Sequence, residues 1–250
     1  MRKKVIVLGG SSGIGKAIAG RFALEGWQVV VAALEEAGCT TTLETLPGEG
    51  HIAHQMDIRN PEDIASLRET VQRRLGDFDV LINSVGISRK QSAIDSDFQS
   101  WDASLQVMLY GSVGICRALV PLMKDGGRII HITSIHAQRV ARGSSAYGMA
   151  KAALTQFTRS LAVELAPRNI LANVIAPGFV DTPMSVKEDG KNELESDWFR
   201  ENYISGEHLP LKRAARPEEI AGAAYFLAGP DASYITGSVL TVDGGLTITF

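Results

Sequence analysis

Residues 4–33 read KVIVLGGSSGIGKAIAGRFALEGWQVVVAA, and this stretch decides the fold. Residues 4–8 and 28–33 are apolar runs typical of strands, whereas residues 16–25 carry apolar side chains at helical spacing. The turn at residues 9–15 contains four glycines. Glycines let a backbone approach a pyrophosphate, and the amino end of a helix offers free N–H groups. The order strand, glycine-rich turn, helix, strand therefore predicts a dinucleotide site, with a merely tight β–α turn as the alternative.

The same alternation of strands and helices continues along the chain. We predict further strands at residues 51–56, 79–83, 128–133, 170–176 and 238–242, and helices from Asn60 to about residue 75, at 101–123, at 147–165 and from 216 onward. Residues 34–50 show little periodicity. Strands that are apolar throughout indicate a parallel sheet covered on both faces, which is a doubly wound α/β fold. Ligands of such sheets bind at the carboxyl ends of the strands.

Composition narrows the class of protein. A chain of 250 residues that is 45% hydrophobic suits one α/β domain over residues 1–250. A net charge of −3 with both signs dispersed predicts no nucleic-acid partner and no membrane partner, and we find no apolar run of the roughly 18 residues that a span needs. The start, MRKK, runs into a strand rather than a secretion signal. Cys39 and Cys116 lack metal-ligand spacing, so we expect no metal, reduced thiols and a cytoplasmic protein.

A second informative segment is residues 126–154, GGRIIHITSIHAQRVARGSSAYGMAKAAL. Ser134 follows the predicted strand, and Tyr147 and Lys151 share one face of the next helix. An ammonium beside a phenol favours the phenolate, so we expect the pKa of the tyrosine to fall below about 10. A serine hydroxyl at the same place would orient a carbonyl or alcohol oxygen. Taken alone, the Tyr–Lys spacing is also compatible with an ordinary amphipathic helix.

Together these motifs resemble those of the single-domain short-chain dehydrogenase/reductase superfamily over essentially the whole chain. The matching segments are Gly9-x-x-x-Gly13-Ile14-Gly15, Asn83-Ser84-Val85-Gly86, Ser134 with Tyr147-x-x-x-Lys151, Pro177-Gly178-Phe179-Val180-Asp181-Thr182, and Val242-Asp243-Gly244-Gly245. The resemblance implies a Rossmann-like parallel sheet of seven strands in the order 3-2-1-4-5-6-7. It also implies NAD(P)-dependent interconversion of a small-molecule alcohol and its carbonyl. The implied assembly is a homotetramer or dimer built on helices 101–123 and 147–165 and on the C-terminal strand.

The resemblance also implies a role for each matching residue. Tyr147 would be the general acid/base, Lys151 would lower its pKa and hold the nicotinamide ribose, and Ser134 would hold the substrate oxygen. The implied coenzyme-binding residues are Gly9, Ser11, Ser12, Gly13, Ile14, Gly15, Asp57, Ile58, Asn83, Gly86, Tyr147, Lys151, Pro177, Gly178, Val180 and Thr182. His136 and Met184 would line the substrate pocket, although His136 is equally compatible with a loop residue that has no role. Residues 184–210 would form a substrate lid.

Met108 departs from the family pattern. The family has an asparagine at this place, which holds a water linking the lysine to bulk solvent, whereas methionine donates no hydrogen bond. Either the proton takes another route and the chemistry is intact, or the chain is a coenzyme-binding protein with impaired catalysis. A redox-cycling epimerase or dehydratase on the same fold is a further alternative.

The residues that choose between NAD and NADP are also missing. An acid at the end of the second strand would bind the ribose hydroxyls, and an arginine beside it would bind a 2′-phosphate. Here the positions are Ala33 and Leu34, followed by Glu35 and Glu36. A phosphate near two carboxylates and no cation is unfavourable, so the pattern favours NAD, with NADP left open. The sequence leaves the substrate open among sugars, polyols, steroids, acyl thioesters and diketones.

Overall fold

The computed structural model describes residues 2–187 and 189–249. Its strands form one seven-stranded parallel sheet in the order β3-β2-β1-β4-β5-β6-β7, which confirms the predicted fold class. The strands are β1 Lys4–Leu8, β2 Gln28–Ala33, β3 Ile52–Gln55, β4 Phe78–Asn83, β5 Met123–Ile132, β6 Leu171–Pro177 and β7 Val239–Val242.

Helices cover both faces of this sheet. They are α1 Gly13–Leu24, α2 Glu36–Thr45, α3 Pro61–Arg74, α4 Phe98–Leu105, α5 Gly111–Leu119, α6 Ser145–Glu164, α7 Asp197–Phe199 and α8 Pro217–Ala228. A π-helical turn, Gln106–Tyr110, joins α4 to α5. The sequence pattern missed α2 because only Cys39 and Thr42 of this helix are buried, so it carries no apolar stripe.

The core consists of two apolar layers, one on each face of the sheet. In β1, Val5 and Val7 point into the layer that contains Phe22 of α1, whereas Ile6 and Leu8 point into the opposite layer. Both faces of the strand are therefore buried, which is why its sequence is continuously apolar rather than alternating.

The segment Phe98–Leu122 corrects one expectation. By length and composition it is apolar enough to cross a membrane, so the expectation that the chain contains no such segment is wrong. A buried helix of a globular core meets the same criterion. Ile115 and Leu119 of this segment are buried in the apolar layer that also contains Ile6 and Leu8 of β1. Within the fold, 39% of the most apolar 18-residue stretch of this segment is buried.

Candidate active site

The glycine-rich turn leaves the sheet at the carboxyl end of β1. Gly9 has φ +71°, and a Cβ atom on it would lie 3.0 Å from the carbonyl of Ser84. A Cβ atom on Gly15 would lie 2.0 Å from the carbonyl oxygen of Gly9. A side chain at Gly15 would therefore collide with the turn, and a side chain at Gly9 would demand a strained backbone.

The amino end of α1 is suited to an anion. Its N-cap residue, Ser12, makes no side-chain capping bond, and the first turn of the helix contains no acidic residue. The N–H groups of this turn therefore keep their capacity to donate, and the positive end of the helix dipole is not neutralised. These features fit the pyrophosphate of a dinucleotide.

A cavity of about 380 Å³ lies against this turn. Nine of the residues predicted to bind a coenzyme line it, namely Gly9, Ser11, Ser12, Gly13, Ile14, Asp57, Ile58, Gly86 and Thr182. Met184, predicted for the substrate pocket, lines it as well. The cavity wall does not include the other predicted coenzyme residues, which are Gly15, Asn83, Tyr147, Lys151, Pro177, Gly178 and Val180, nor Ser134 and His136.

Three of the residues off the wall support it from behind. Asn83 is buried, donates from Nδ2 to Ser112 Oγ at 2.7 Å, and accepts at Oδ1 from the backbone N–H of Val85 at 3.0 Å. Gly178 continues from β6 and donates its N–H to the carbonyl of Val242 at 3.0 Å. Val180 is buried in the core. These contacts hold the loops after β4 and β6, which carry the lining residues.

Ser134, Tyr147 and Lys151 form a second feature at the same sheet edge, here called the Ser–Tyr–Lys corner. Ser134 follows β5, and its Oγ accepts from the backbone N–H of His136 at 3.1 Å. The Lys151 ammonium nitrogen lies 5.7 Å from the centroid of the Tyr147 ring and donates to the Ile132 carbonyl at 3.0 Å. The corner thus combines one residue after β5 with two residues of α6.

Lys151 connects this corner to the cavity. A Cβ atom placed on Gly86, a residue of the cavity wall, would lie 3.5 Å from Lys151 Nζ. The ammonium also approaches the carbonyl of Val85 at 3.4 Å. Lys151 therefore stands directly behind the wall that the glycine turn faces.

Burial sets the protonation of the corner. It lowers the pKa of Lys151 to about 8. It raises the pKa of Tyr147, and the Ser134 hydroxyl, which can donate to the phenolate, opposes this only in part. The expected fall in the tyrosine pKa is therefore wrong for this structure: loss of water around the phenolate outweighs the favourable groups near it.

His136 lies beside the corner. Its ring meets the Tyr147 ring edge to face, with the centroids 5.9 Å apart. Its Nδ1 atom is buried and has no hydrogen-bond partner within residues 2–187 and 189–249. Burial lowers the pKa of this imidazole, so the ring is neutral near pH 7.

Two arginines on the cavity wall were not predicted, Arg59 and Arg89. The Arg59 guanidinium donates from Nε to both carboxylate oxygens of Asp57, at 3.0 and 3.1 Å, and this pairing lowers the pKa of Asp57. Glu35 and Glu36 do not line the cavity. Cations therefore do line the cavity, which the expectation of a site without a cation did not include. The spacing Asp57-x-Arg59 in a loop after a strand was the available signal.

Met108 is fully buried in the π-helical turn. Its backbone carbonyl accepts from Ser112 Oγ at 2.7 Å, and the same hydroxyl accepts from Asn83. The backbone of Met108 thus ends a hydrogen-bond chain that runs from Asn83 through Ser112, whereas its side chain takes no part in it.

The predicted lid contains short helical turns and packs through aromatic rings, although its Glu188 lies outside the described residues. The ring of Phe179, just after β6, lies 4.9 Å from that of Phe199 and 4.6 Å from that of Tyr203. The segment is thereby anchored beside the loop that carries Thr182. In the described part of the chain, no group of three or more His, Cys, Asp or Glu side chains is arranged to hold a metal ion.

The sequence of this chain is similar to those of known oxidoreductases. Residues 9–247 match the family model described as enoyl-(acyl carrier protein) reductase. The chain is 34% identical to the 3-oxoacyl-[acyl-carrier-protein] reductase FabG of Thermotoga maritima, with 98% of each chain covered. It is 35% identical over 242 residues to an uncharacterized short-chain type dehydrogenase/reductase of Sinorhizobium fredii, and these residues span 43% of that longer protein.

A solved structure of known family has the same fold as this chain. A doubly substituted short-chain dehydrogenase/reductase of Serratia marcescens superposes with a TM-score of 0.89 at 32% identity, covering 98% of each chain. Both the sequence matches and this likeness extend over nearly the whole chain. The protein therefore belongs to the short-chain dehydrogenase/reductase superfamily, a family of nicotinamide-dependent oxidoreductases.

Proposed function

We propose that this protein transfers a hydride between a nicotinamide coenzyme and the carbonyl or alcohol carbon of a small molecule. The observation that carries the proposal is the position of Lys151, whose ammonium lies behind the Gly86 wall of the cavity and 5.7 Å from the Tyr147 ring. Coenzyme binding and proton transfer therefore adjoin one another. When bound, the coenzyme supplies or accepts the hydride.

The side chains of the corner supply the remaining chemistry. Tyr147 donates a proton to the substrate oxygen during reduction and takes it back during oxidation. The Ser134 hydroxyl holds that oxygen beside the phenol. Lys151 holds the nicotinamide ribose, and its positive charge stabilises the phenolate once the proton has left.

We assign the coenzyme as NAD(H) in preference to NADP(H). The apolar Ala33 and Leu34 line the cavity at the end of β2 and offer nothing to a 2′-phosphate. Arg59 lies on the cavity wall just after β3, the strand that pairs with β2, and its guanidinium is already paired with Asp57. A 2′-phosphate would have to break that pair to gain Arg59 as a partner.

The substrate is a small alcohol or ketone. His136 offers a neutral ring next to Tyr147, and Met184 provides an apolar part of the wall, so both belong to the proposed substrate pocket. Residues 184–210 form the proposed lid, since such segments exclude water and select substrates. A homo-oligomer in the cytoplasm, with no nucleic-acid or membrane partner, completes the proposal.

The test is a panel of alcohols and ketones assayed by the absorbance of the reduced nicotinamide, with NAD and NADP in parallel. We expect turnover with NAD, and a loss of about 10²- to 10⁴-fold in Tyr147→Phe, because general acid–base catalysis contributes this much. Tyr147→Phe should still show a coenzyme-dependent rise in Tm, which separates binding from chemistry.

The buried Met108 favours one alternative, a coenzyme-binding protein with impaired catalysis. That reading predicts a coenzyme-dependent rise in Tm together with no turnover across the whole panel. An epimerase or dehydratase would instead convert its substrate with no net change in nicotinamide absorbance.

A further inference from the structure

Gln91 is a buried polar residue in an exposed loop. It lies between β4 and α4, where Ser88, Arg89 and Lys90 before it are exposed, yet the Gln91 side chain and backbone are only 3% exposed. Removing an amide from water is costly unless its hydrogen bonds are replaced. The burial of Gln91 therefore requires specific partners.

The structure provides these partners on both the backbone and the side chain. The Gln91 N–H donates to the Gly143 carbonyl at 2.7 Å, and the Gln91 carbonyl accepts from Ser145 Oγ at 3.0 Å. The side-chain Oε1 accepts from Ser104 Oγ at 2.8 Å, and Nε2 donates to the Ser100 carbonyl.

These bonds join two helices that are distant in sequence. Ser100 and Ser104 belong to α4, whereas Ser145 opens α6, the helix that carries Tyr147 two residues later. Trp101 of α4 adds a third link, since its Nε1 donates to Ser145 Oγ at 2.8 Å. Gln91 therefore ties α4 to the first turn of α6.

Hydrogen bonds from neighbouring segments hold the amino end of α6. Its N-cap residue, Ser144, makes no side-chain capping bond. The Gly143 carbonyl and the Ser145 hydroxyl, on either side of that residue, are both bonded to Gln91. The Gln91 contacts, together with the bond from Trp101 to Ser145, thus hold the turn from which the Tyr147 side chain projects.

The same loop also forms part of the cavity. Gly86, Ile87 and Arg89 line the wall, and Gln91 follows within the same short segment. Through Gln91, the cavity wall and the Tyr147 turn are held as one unit.

We propose that Gln91 is a positioning residue, which fixes the Tyr147 hydroxyl relative to the coenzyme cavity without contacting the reacting atoms. This inference rests on the proposed dehydrogenase function. A displacement of about 1 Å at a reacting group can lower the rate by about 10²-fold. The loss of Gln91 should therefore act on turnover far more than on coenzyme affinity.

The test variant is Gln91→Met, which keeps the length of the side chain and removes its amide. We expect kcat to fall by about 10- to 100-fold while the Kd for NADH changes by less than about threefold. The matched control is Gln106→Met, because Gln106 is exposed and its amide bonds only to Asp102 within residues 2–187 and 189–249. The control should keep kcat within about twofold of wild type.

A double-mutant cycle identifies the route of the effect. Ser145→Ala removes the hydroxyl that bonds the Gln91 carbonyl, whereas Gln91→Met removes the amide that bonds α4. Because the two changes break the same link between α4 and α6, the loss of kcat in the double variant should be smaller than the product of the two single losses. Independent, fully multiplicative effects would overturn the assignment. So would a loss of NADH affinity equal to the loss of kcat, which would indicate general damage.

A second readout needs no substrate. The titration of Tyr147 is obtained as the difference in phenolate absorbance between each protein and its Tyr147→Phe counterpart. Gln91→Met should shift this titration, because burial and the Ser134 hydroxyl set the pKa of Tyr147, and Gln106→Met should not. If the titration of Tyr147 shifts in Gln91→Met but no variant, including wild type, turns over any substrate, the positioning role is supported and the proposed function is contradicted. If both the titration and kcat are unchanged in Gln91→Met, the positioning role is overturned.

Discussion

The glycine turn at residues 9–15 and the Ser–Tyr–Lys corner lie at the same edge of the sheet but are built in different ways. The turn is made of consecutive residues, and its shape depends on the absence of side chains. The corner is made of side chains from the loop after β5 and from α6, and Gln91 from a third segment bonds to the first turn of α6. Adding an atom should therefore damage the turn, whereas removing a group should damage the corner.

The largest effect in this comparison is expected from Gly15→Ala. The added Cβ would lie 2.0 Å from the Gly9 carbonyl oxygen, so the turn must move away from the amino end of α1. Overpacking of this kind costs about 1–3 kcal/mol. We expect NADH binding, measured by the rise in Tm, to weaken about 10- to 100-fold.

Gly20→Ala provides the matched control on the same helix. A Cβ atom on Gly20 meets nothing within 4 Å, so the change should only raise helix propensity. We expect a gain of about 0.5–1 kcal/mol in the free energy of unfolding and unchanged NADH binding. Equal losses of binding in both variants would contradict the role given to the close approach at Gly15.

The pH dependence of the corner is a smaller and more specific effect. Lys151 has a pKa of about 8, so it is charged below that pH and neutral above it. In the reductive direction, the ammonium stabilises the phenolate that forms on Tyr147. We therefore expect kcat/KM for reduction to be highest below about pH 8 and to fall by about tenfold per pH unit well above it.

The measurement is kcat/KM for carbonyl reduction across the pH range at constant ionic strength. NADH binding should change much less over the same range, because the glycine turn binds through backbone N–H groups that do not titrate and a neutral Lys151 amine can still donate a hydrogen bond to the ribose. A level reductive profile through pH 8 would contradict the role of the Lys151 charge.

Met108→Asn is expected to have the smallest effect. The new amide would restore the residue that the family has at this place, and we expect kcat to rise by about two- to fivefold if proton exchange limits turnover. It would also bury an amide where Met108 is fully buried, at a cost of about 1–3 kcal/mol in the free energy of unfolding. An unchanged kcat, measured beside Tm, would show that protons reach the corner by another route.

Whether a strand or helix could be predicted from the sequence depended on where its side chains lie in the fold. β1 and β2 were readable because both of their faces are buried, which leaves a continuous apolar run. α2 was not readable because most of it faces solvent. The long helix begins at Phe98 rather than at Trp101, since Asp97 Oδ2 accepts from the Ser100 N–H at 2.8 Å and caps it.

The candidate site divides in the same way. The lining residues of the glycine turn, with Asp57, Gly86 and Thr182, were predictable because each follows a strand at the carboxyl edge. Arg59 and Gln91 were not identified. Gln91 in particular is one polar residue in a polar loop, and only its contacts with α4 and α6 distinguish it.

Local patterns were thus sufficient for the strand–turn–helix order, the parallel sheet and the family, because strand and helix periodicity and glycine conformation act over a few residues. Folding decided what depends on groups far apart in the chain. Gln91 reaches Ser145 across 54 residues, and Lys151 reaches the Ile132 carbonyl across 19. The same long-range burial raised the pKa of Tyr147 where its nearest lysine suggested a fall, because the cost of removing a charge from water depends on everything packed around it.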